Sequence, residues 1–231
     1  MSRRNRLQFI VVNCVTGTNL VLGLLSVIAV ANDQLTLAAG LLLTCALVDG
    51  LDGPLARRWD VSTDFGAQFD SLADMTSFIV AGGALAYFWA DPADTSIPVF
   101  VAAMAAGAYV LAGAIRLARY NSSPGRPGYF QGMPTTVVSS IVAITLLTHK
   151  DLRGYGVVLL VLLLSALMVS VFPYPRLSAL LPRLPRWVYL LLLAAVLISG
   201  YRFQILWLGT LTYIFTGPII SVRYRLASRS R

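Results

Sequence analysis

Charged residues are scarce in this chain, and one acidic residue type is missing altogether. Only 12% of its 231 residues are charged and 57% are hydrophobic, and all ten acidic residues are aspartates because the sequence contains no glutamate. A soluble globular protein is about 25% charged, so this chain lacks the charge needed to cover a surface that faces water. The composition excludes a disordered protein and, despite the net charge of +8, a soluble nucleic-acid-binding protein. It predicts an integral membrane protein.

Cysteine and histidine are nearly absent as well. The two cysteines, Cys14 and Cys45, lie in apolar runs, which excludes a disulfide scaffold and predicts packing residues without a redox role. The single histidine, His149, stands beside Lys150 in an expected outer loop. We therefore interpret it as a solvated loop residue and not as a ligand.

Long apolar runs fill most of the chain, and about 20 such residues cross a bilayer as a helix. The first run follows a basic stretch and ends in Ala-Val-Ala, which resembles a secretory signal, but it is longer than a signal core and we expect an uncleaved span. The eight expected spans are 7–30, 35–57, 66–90, 97–119, 134–149, 155–172, 187–201 and 203–222. Only Tyr201 and Arg202 separate the last two, so whether they are separate spans stays open.

The basic residues predict the orientation of the chain in the membrane. With eight spans, both termini lie on one side, and Lys150, Arg153 and Arg202 fall on the other, which leaves 15 of the 18 basic residues on the side of the termini. Basic loops face the cytoplasm. We therefore expect a multi-pass protein of the cell membrane with both termini cytoplasmic and with arginines at the anionic headgroups.

Two aspartates end the second span at the cytoplasmic face. At about 100° per helical residue, Asp49, Asp52, Gly53, Ala56 and Arg57 share one stripe. Glycine and alanine allow a ligand to approach the helix backbone, and an arginine at the membrane edge can bind phosphate.

The third span carries a matching face with Gly66, Asp70 and Asp74. Four carboxylates from two antiparallel helices can then converge, and their oxygen-only set favours Mg²⁺ or Mn²⁺, as a pair of ions that offsets the buried charge. Carboxylates, metal and guanidinium together indicate displacement at phosphorus. The residues alone leave two alternatives open: a divalent cation transporter, since carboxylates also mark ion paths in membranes, and aspartate–arginine pairs that only seal a helix bundle.

The full pattern Asp49-x2-Asp52-Gly53-x2-Ala56-Arg57-x8-Gly66-x3-Asp70-x3-Asp74 resembles the signature of the CDP-alcohol phosphotransferase family. The resemblance implies an all-α membrane fold, a homodimer, and transfer of a phosphatidyl-type group from a CDP-linked lipid to an alcohol with release of CMP. It covers about residues 1–175 as a six-helix core, so residues 176–231 would add two spans and a basic cytoplasmic tail.

The resemblance also implies roles for single residues. Asp49, Asp52, Asp70 and Asp74 correspond to the metal ligands, and Asp74 to the general base on the attacking hydroxyl. The residues that correspond to the CDP-lipid contacts are Asn13, Thr16, Gly53, Ala56, Arg57, Thr63 and Gly66. Asp60 and Asp64 lie in the connecting turn, where we expect either a helix cap before Gly66 or a ligand role.

The acceptor alcohol is indicated by the wider sequence. Asp70-Ser71-Leu72-Ala73-Asp74-x2-Ser77-Phe78 and the segments 116–121, 129–134 and 168–175 resemble the phosphatidylserine synthase branch, so the expected acceptor is L-serine. Its carboxylate needs a cation, for which Arg116 and Arg119 are candidates, although positive-inside anchoring also accounts for them. Choline, glycerol phosphate and inositol phosphate remain alternative acceptors, and the lipid can be diacylglycerol- or archaeol-based.

Overall fold

The computed structural model describes residues 3–122, 129–175 and 202–229, and helices dominate all three ranges. The helices are α1 (Arg3–Ala31), α2 (Leu35–Trp59), α3 (Asp64–Asp74), α4 (Ala81–Ala90), α5 (Val99–Ser122), α6 (Thr135–Thr148), α7 (Tyr155–Val169) and α8 (Arg202–Arg229). A π-helical segment, Met75–Val80, joins α3 to α4. Two short strands, β1 (Tyr129–Gln131) and β2 (Pro173–Pro175), pair in antiparallel fashion.

The helices agree with the expected membrane spans wherever the structure describes the chain. α1 from Arg4, α2, the continuous helix Asp64–Ala90 and α5 are each long and apolar enough to cross a membrane, and α6 and α7 are shorter apolar helices. The sixth expected span ends early, at Val169, because the chain turns into β2. The seventh, 187–201, lies outside the described residues, whereas the eighth corresponds to α8. The expectation of an all-α, multi-pass membrane protein is confirmed.

A four-residue connection joins α2 to α3, and both helices pack against α1. Asp60 ends α2 in the left-handed region (φ 54°), and its N–H returns to the carbonyls of Ala56 and Arg57. Thr63 then begins α3 as its N-cap, because its hydroxyl accepts the N–H of Gly66 at 3.1 Å. Of the two alternatives for Asp60 and Asp64, the helix cap before Gly66 is therefore wrong. A hydroxyl in an extended N-cap residue reaches the third N–H of the helix, and Thr63 occupies that position.

Small residues allow the helices that carry the site to approach one another closely, as is usual inside membranes. A Cβ on Gly23 of α1 would lie 2.5 Å from Ser77 Cα in the π-helical segment, and a Cβ on Gly113 of α5 would lie 2.7 Å from the Ile79 side chain. The buried Tyr109 of α5 also donates its hydroxyl to the carbonyl of Phe78 at 3.1 Å. The π-helical segment is thus held from two sides.

The β1–β2 pair closes the bundle where α5 ends and α6 begins. Its register pairs Phe130 with Tyr174, and the pair is extended by the N–H of Gly132, which donates to the carbonyl of Phe172 at 3.0 Å. Gly132 adopts φ +76°, and a Cβ there would lie 2.2 Å from the carbonyl oxygen of Met168. Only glycine fits this turn, so the position of the strands is fixed by the end of α7.

Candidate active site

Three of the four aspartates form one tight cluster between α2 and α3. Carboxylate oxygens of Asp49, Asp70 and Asp74 all lie within 4.8 Å of one another, and each side chain is partly buried. Asp52, the fourth, lies outside this group of three and is 6% exposed. Its Oδ2 accepts the hydroxyl of Thr16 on α1 at 2.9 Å, and its Oδ1 accepts the N–H of Gly53 at 2.6 Å.

The cluster fits a divalent cation. Asp70 Oδ1 and Asp74 Oδ1 are buried and have no hydrogen-bond partner within the described part of the chain. Carboxylates this close repel one another and need a compensating positive charge. Hard divalent cations prefer oxygen ligands alone, so the donor set matches Mg²⁺ or Mn²⁺, as the sequence predicts.

The π-helical segment begins at the residue after Asp74, and sequence reasoning missed it. Ser77, in this segment, donates its hydroxyl to the backbone carbonyl of Asn19 at 2.8 Å, and Cys45 Sγ of α2 lies 3.6 Å from the same oxygen. Three helices therefore converge on Asn19, whose own side-chain amide is fully buried and has no partner among the described residues. π-Helical turns are frequent at functional sites. The spacing of Asn13, Thr16 and Asn19 was the available signal for this crossing.

A cavity of about 160 Å³ opens beside the aspartates, between α1, α2 and α3. Asp52 and Asp70 form part of its wall, which connects the cavity to the acidic cluster. All seven residues predicted to contact the CDP-lipid line it, namely Asn13, Thr16, Gly53, Ala56, Arg57, Thr63 and Gly66. The sequence pattern thus assembles residues from three helices around one space.

The side chain of Arg57 occupies the space beside Gly53 in this cavity. The exposed Arg57 side chain lies along α2, with Nη1 3.3 Å from the point that a Cβ on Gly53 would occupy. The absence of a side chain at Gly53 therefore makes room for the guanidinium. Asn13 donates its amide to the carbonyl of Phe9 at 2.8 Å, and Thr63 combines its place in the wall with the capping of α3.

The two candidate acceptor-binding arginines differ in what they contact. Arg116 is 7% exposed, donates from Nη1 to Thr135 Oγ1 at 3.0 Å, and has Asp74 and Asp49 within electrostatic range. Its Nε has no hydrogen-bond partner among the described residues.

Arg119 instead donates from Nη1 to the carbonyls of Val169 and Ser170, at 3.0 and 3.4 Å. Arg116 lies within electrostatic range of the acidic cluster, whereas Arg119 caps the end of α7.

His149 is exposed, as expected for a loop residue. Its ring also contacts Trp207 of α8, edge to face, with ring centroids 4.6 Å apart. The contact is a packing interaction at the beginning of α8 and gives His149 no place among the site residues.

Comparisons with known proteins point to one family. The sequence profile of the CDP-alcohol phosphatidyltransferases matches residues 9–172. A CDP-diacylglycerol–serine O-phosphatidyltransferase of Helicobacter pylori strain 26695 is 34% identical over 172 residues, which are 71% of each chain. The Bacillus subtilis protein of the same name is 30% identical over 163 residues, 70% of this chain and 88% of that one. An archaetidylserine synthase of Methanothermobacter thermautotrophicus is 33% identical over 159 residues, 67% and 64% of the two chains.

Proposed function

The chain belongs to the CDP-alcohol phosphatidyltransferase family, and we propose that it transfers a phosphatidyl-type group from a CDP-linked lipid to L-serine and releases CMP. The observation that carries the proposal is the acidic cluster, which adjoins a cavity lined by every residue expected to hold the CDP moiety. The names of relatives from bacteria and archaea support serine as the acceptor.

The cavity between α1, α2 and α3 receives the cytidine diphosphate. Gly53 and Ala56 allow the diphosphate to approach the backbone of α2, and Arg57 offers its planar pair of N–H donors to a phosphate. Asn13 and Thr16 present polar groups from α1, and Thr63 and Gly66 close the cavity at the beginning of α3. Thr16 also fixes the Asp52 carboxylate through its hydrogen bond.

The metal ligands are Asp49, Asp52, Asp70 and Asp74, which would hold Mg²⁺ or Mn²⁺, as a pair of ions. Such ions, when bound, neutralise the diphosphate and the charge that develops on departing CMP. Asp52 keeps its position through Thr16 and Gly53, whereas Asp49 is carried by α2 and Asp70 and Asp74 by α3, two helices that both pack against α1.

Asp74 acts as the general base toward serine. It takes the proton of the serine hydroxyl while that oxygen forms a bond to the phosphorus of the lipid phosphate. The bond from this phosphorus to the bridging oxygen of CMP breaks in line, and CMP leaves with the electron pair. Holding both reactants at one site supplies much of the rate enhancement through orientation.

The serine carboxylate pairs with Arg116. This guanidinium is buried within electrostatic range of Asp74, and its Nε–H has no partner in the described structure. A carboxylate would satisfy that donor, whereas the quaternary ammonium of choline would not. Arg119, occupied by the carbonyls that end α7, contributes to the same region by holding α7 in place.

The arginine distribution supports the proposed orientation of the chain in the membrane. We propose that the protein lies in the cytoplasmic membrane with both termini and the active site facing the cytoplasm, and that it forms a homodimer. In this arrangement residues 1–175 make up the catalytic core and residues 176–231 are additional spans with a basic tail.

The test uses the purified full chain with CDP-diacylglycerol or CDP-archaeol, a panel of acceptors, and CMP release as the readout. Turnover with serine but not with choline, glycerol phosphate or inositol phosphate is the expected result. Turnover with choline alone would contradict the acceptor, and no CMP release with any acceptor would contradict the reaction and favour cation transport.

A further inference from the structure

α8 lies wholly beyond the residues that the family profile matches, yet it is attached to β2 by a reciprocal pair of hydrogen bonds. Tyr213 of α8 donates its hydroxyl to the carbonyl of Pro175 at 3.1 Å, and Tyr174 of β2 donates its hydroxyl to the carbonyl of Ile214 at 3.2 Å. The two rings lie 5.6 Å apart, centroid to centroid. Both tyrosines are buried, so the attachment is specific.

One turn further along α8, Gly217 fits directly against the Tyr174 ring. A Cβ on Gly217 would lie 2.5 Å from Tyr174 Cζ, so even a methyl group there would displace either the ring or the helix. By contrast, a Cβ on Gly209, two turns earlier in α8, would have no neighbour within 4 Å.

β2 transmits the position of α8 to the Arg116 side chain. Tyr174 is the register partner of Phe130 in β1, and the guanidinium carbon of Arg116 lies 5.9 Å from the centre of the Phe130 ring. Tyr213 is itself within electrostatic range of the guanidinium. The chain of contacts thus runs from α8 through β2 and β1 to Arg116.

We propose that α8 positions the acceptor subsite, with Tyr213, Gly217 and Tyr174 as positioning residues that keep Phe130 against the guanidinium of Arg116. A free arginine side chain loses rotamer entropy when it is fixed. Neighbours that fix it in advance lower the cost of binding a carboxylate. The inference rests on the proposed function, because it assigns the serine carboxylate to Arg116.

The test compares KM values for the two substrates in Tyr213→Phe, Tyr174→Phe and Gly217→Ala, each as the full chain in lipid nanodiscs. Each tyrosine variant loses one hydrogen bond and keeps its ring, so we expect the KM for serine to rise about three- to tenfold. We expect the KM for CDP-diacylglycerol to stay within about twofold of wild type, because its cavity is formed by α1, α2 and α3. Gly209→Ala is the matched control and should leave both KM values unchanged.

Four outcomes would contradict the inference or the function on which it rests. A rise in both KM values together, or a fall in thermal midpoint with neither KM altered, would overturn the positioning role of α8. An unaltered serine KM in both tyrosine variants would also overturn it, whether or not Gly217→Ala folds. If the wild-type enzyme did not turn over serine, the proposed function itself would fail. Serine turnover by the wild type is therefore measured before any variant.

Discussion

At the scale of single residues, Asp74 carries two proposed roles that different measurements separate. Asp74→Asn keeps the size of the side chain and one oxygen ligand but removes the basic site. We expect CDP-lipid affinity within about tenfold of wild type, while single-turnover CMP release falls by about 10²–10⁴, as is typical of a lost general base. Parallel loss of affinity and rate would make Asp74 chiefly a metal ligand, and an unaltered rate would assign the base to another group.

Arg57 tests whether the cavity needs a guanidinium or only a positive charge. A lysine keeps the charge but cannot offer two parallel N–H donors to phosphate. We expect kcat/KM for CDP-diacylglycerol to fall about ten- to hundredfold in Arg57→Lys, in line with the loss of a charge-assisted hydrogen bond. Arg58→Lys, an exposed neighbour that does not line the cavity, is the control. Near wild-type activity for Arg57→Lys would show that charge alone suffices.

The acidic cluster leads us to expect that activity depends on a divalent cation. Chelator should abolish CMP release, and Mg²⁺ or Mn²⁺ should restore it, because the carboxylate cluster requires a counter-charge. Asp49→Asn and Asp52→Asn should also lose Mn²⁺ binding, measured by electron paramagnetic resonance in the absence of substrate. Full activity in excess chelator, or unchanged Mn²⁺ binding in both variants, would remove the metal from the proposed mechanism.

At the scale of elements, the contact between α1 and the π-helical segment should help to position Asp74, which directly precedes that segment. A methyl group at Gly23 would meet the backbone of Ser77, which cannot move aside as a flexible side chain could. We expect Gly23→Ala to destabilise the protein by about 1–3 kcal/mol and to lower activity, both measured on one preparation by thermal unfolding and CMP release. Gly40→Ala, where a Cβ meets nothing within 4 Å, should leave both unchanged. Equal behaviour of the two variants would contradict this role of the contact.

The same elements mark the boundary of what the sequence can predict. The faces of α2 and α3 follow from helical periodicity, which is why Asp49, Asp70 and Asp74 come together as predicted. The π-helical segment does not follow from periodicity, because it is fixed by contacts distant in sequence, such as the hydroxyl that Tyr109 donates to Phe78. The Thr63 cap was missed because aspartate and threonine are both good N-caps and only the backbone decides between neighbours.

The two arginines of α5 illustrate the same limit. Arg116 and Arg119 are both basic residues near the end of one helix, and the sequence offers no reason to separate them. Their different roles depend on β1 and on the end of α7, which meet them only in the folded bundle. Nor does the sequence pattern reveal that β2 forms hydrogen bonds with α8, since β2 is only three residues long and two of them are prolines.

At the scale of the whole molecule, the orientation can be tested with a single amine. Lys150 is the only lysine in the chain and is exposed, and the positive-inside rule puts it on the outer side of the membrane. A membrane-impermeant amine reagent should therefore label intact cells at Lys150, and Lys150→Arg should abolish the label. Labelling that requires permeabilised cells would reverse the proposed orientation.

The short connection capped by Thr63 has a consequence for biogenesis. It joins the two helices that carry Asp49, Asp52, Asp70 and Asp74, and with α1 these helices and their connection supply every residue of the acidic cluster and of the cavity lining by residue 74. Arg116, β2 and α8 emerge from the ribosome later, and α8 last of all. Because chains generally fold from the N-terminus during synthesis, we expect the proposed CDP-lipid site to form first. The proposed acceptor subsite would be completed afterwards, once α8 has been synthesised.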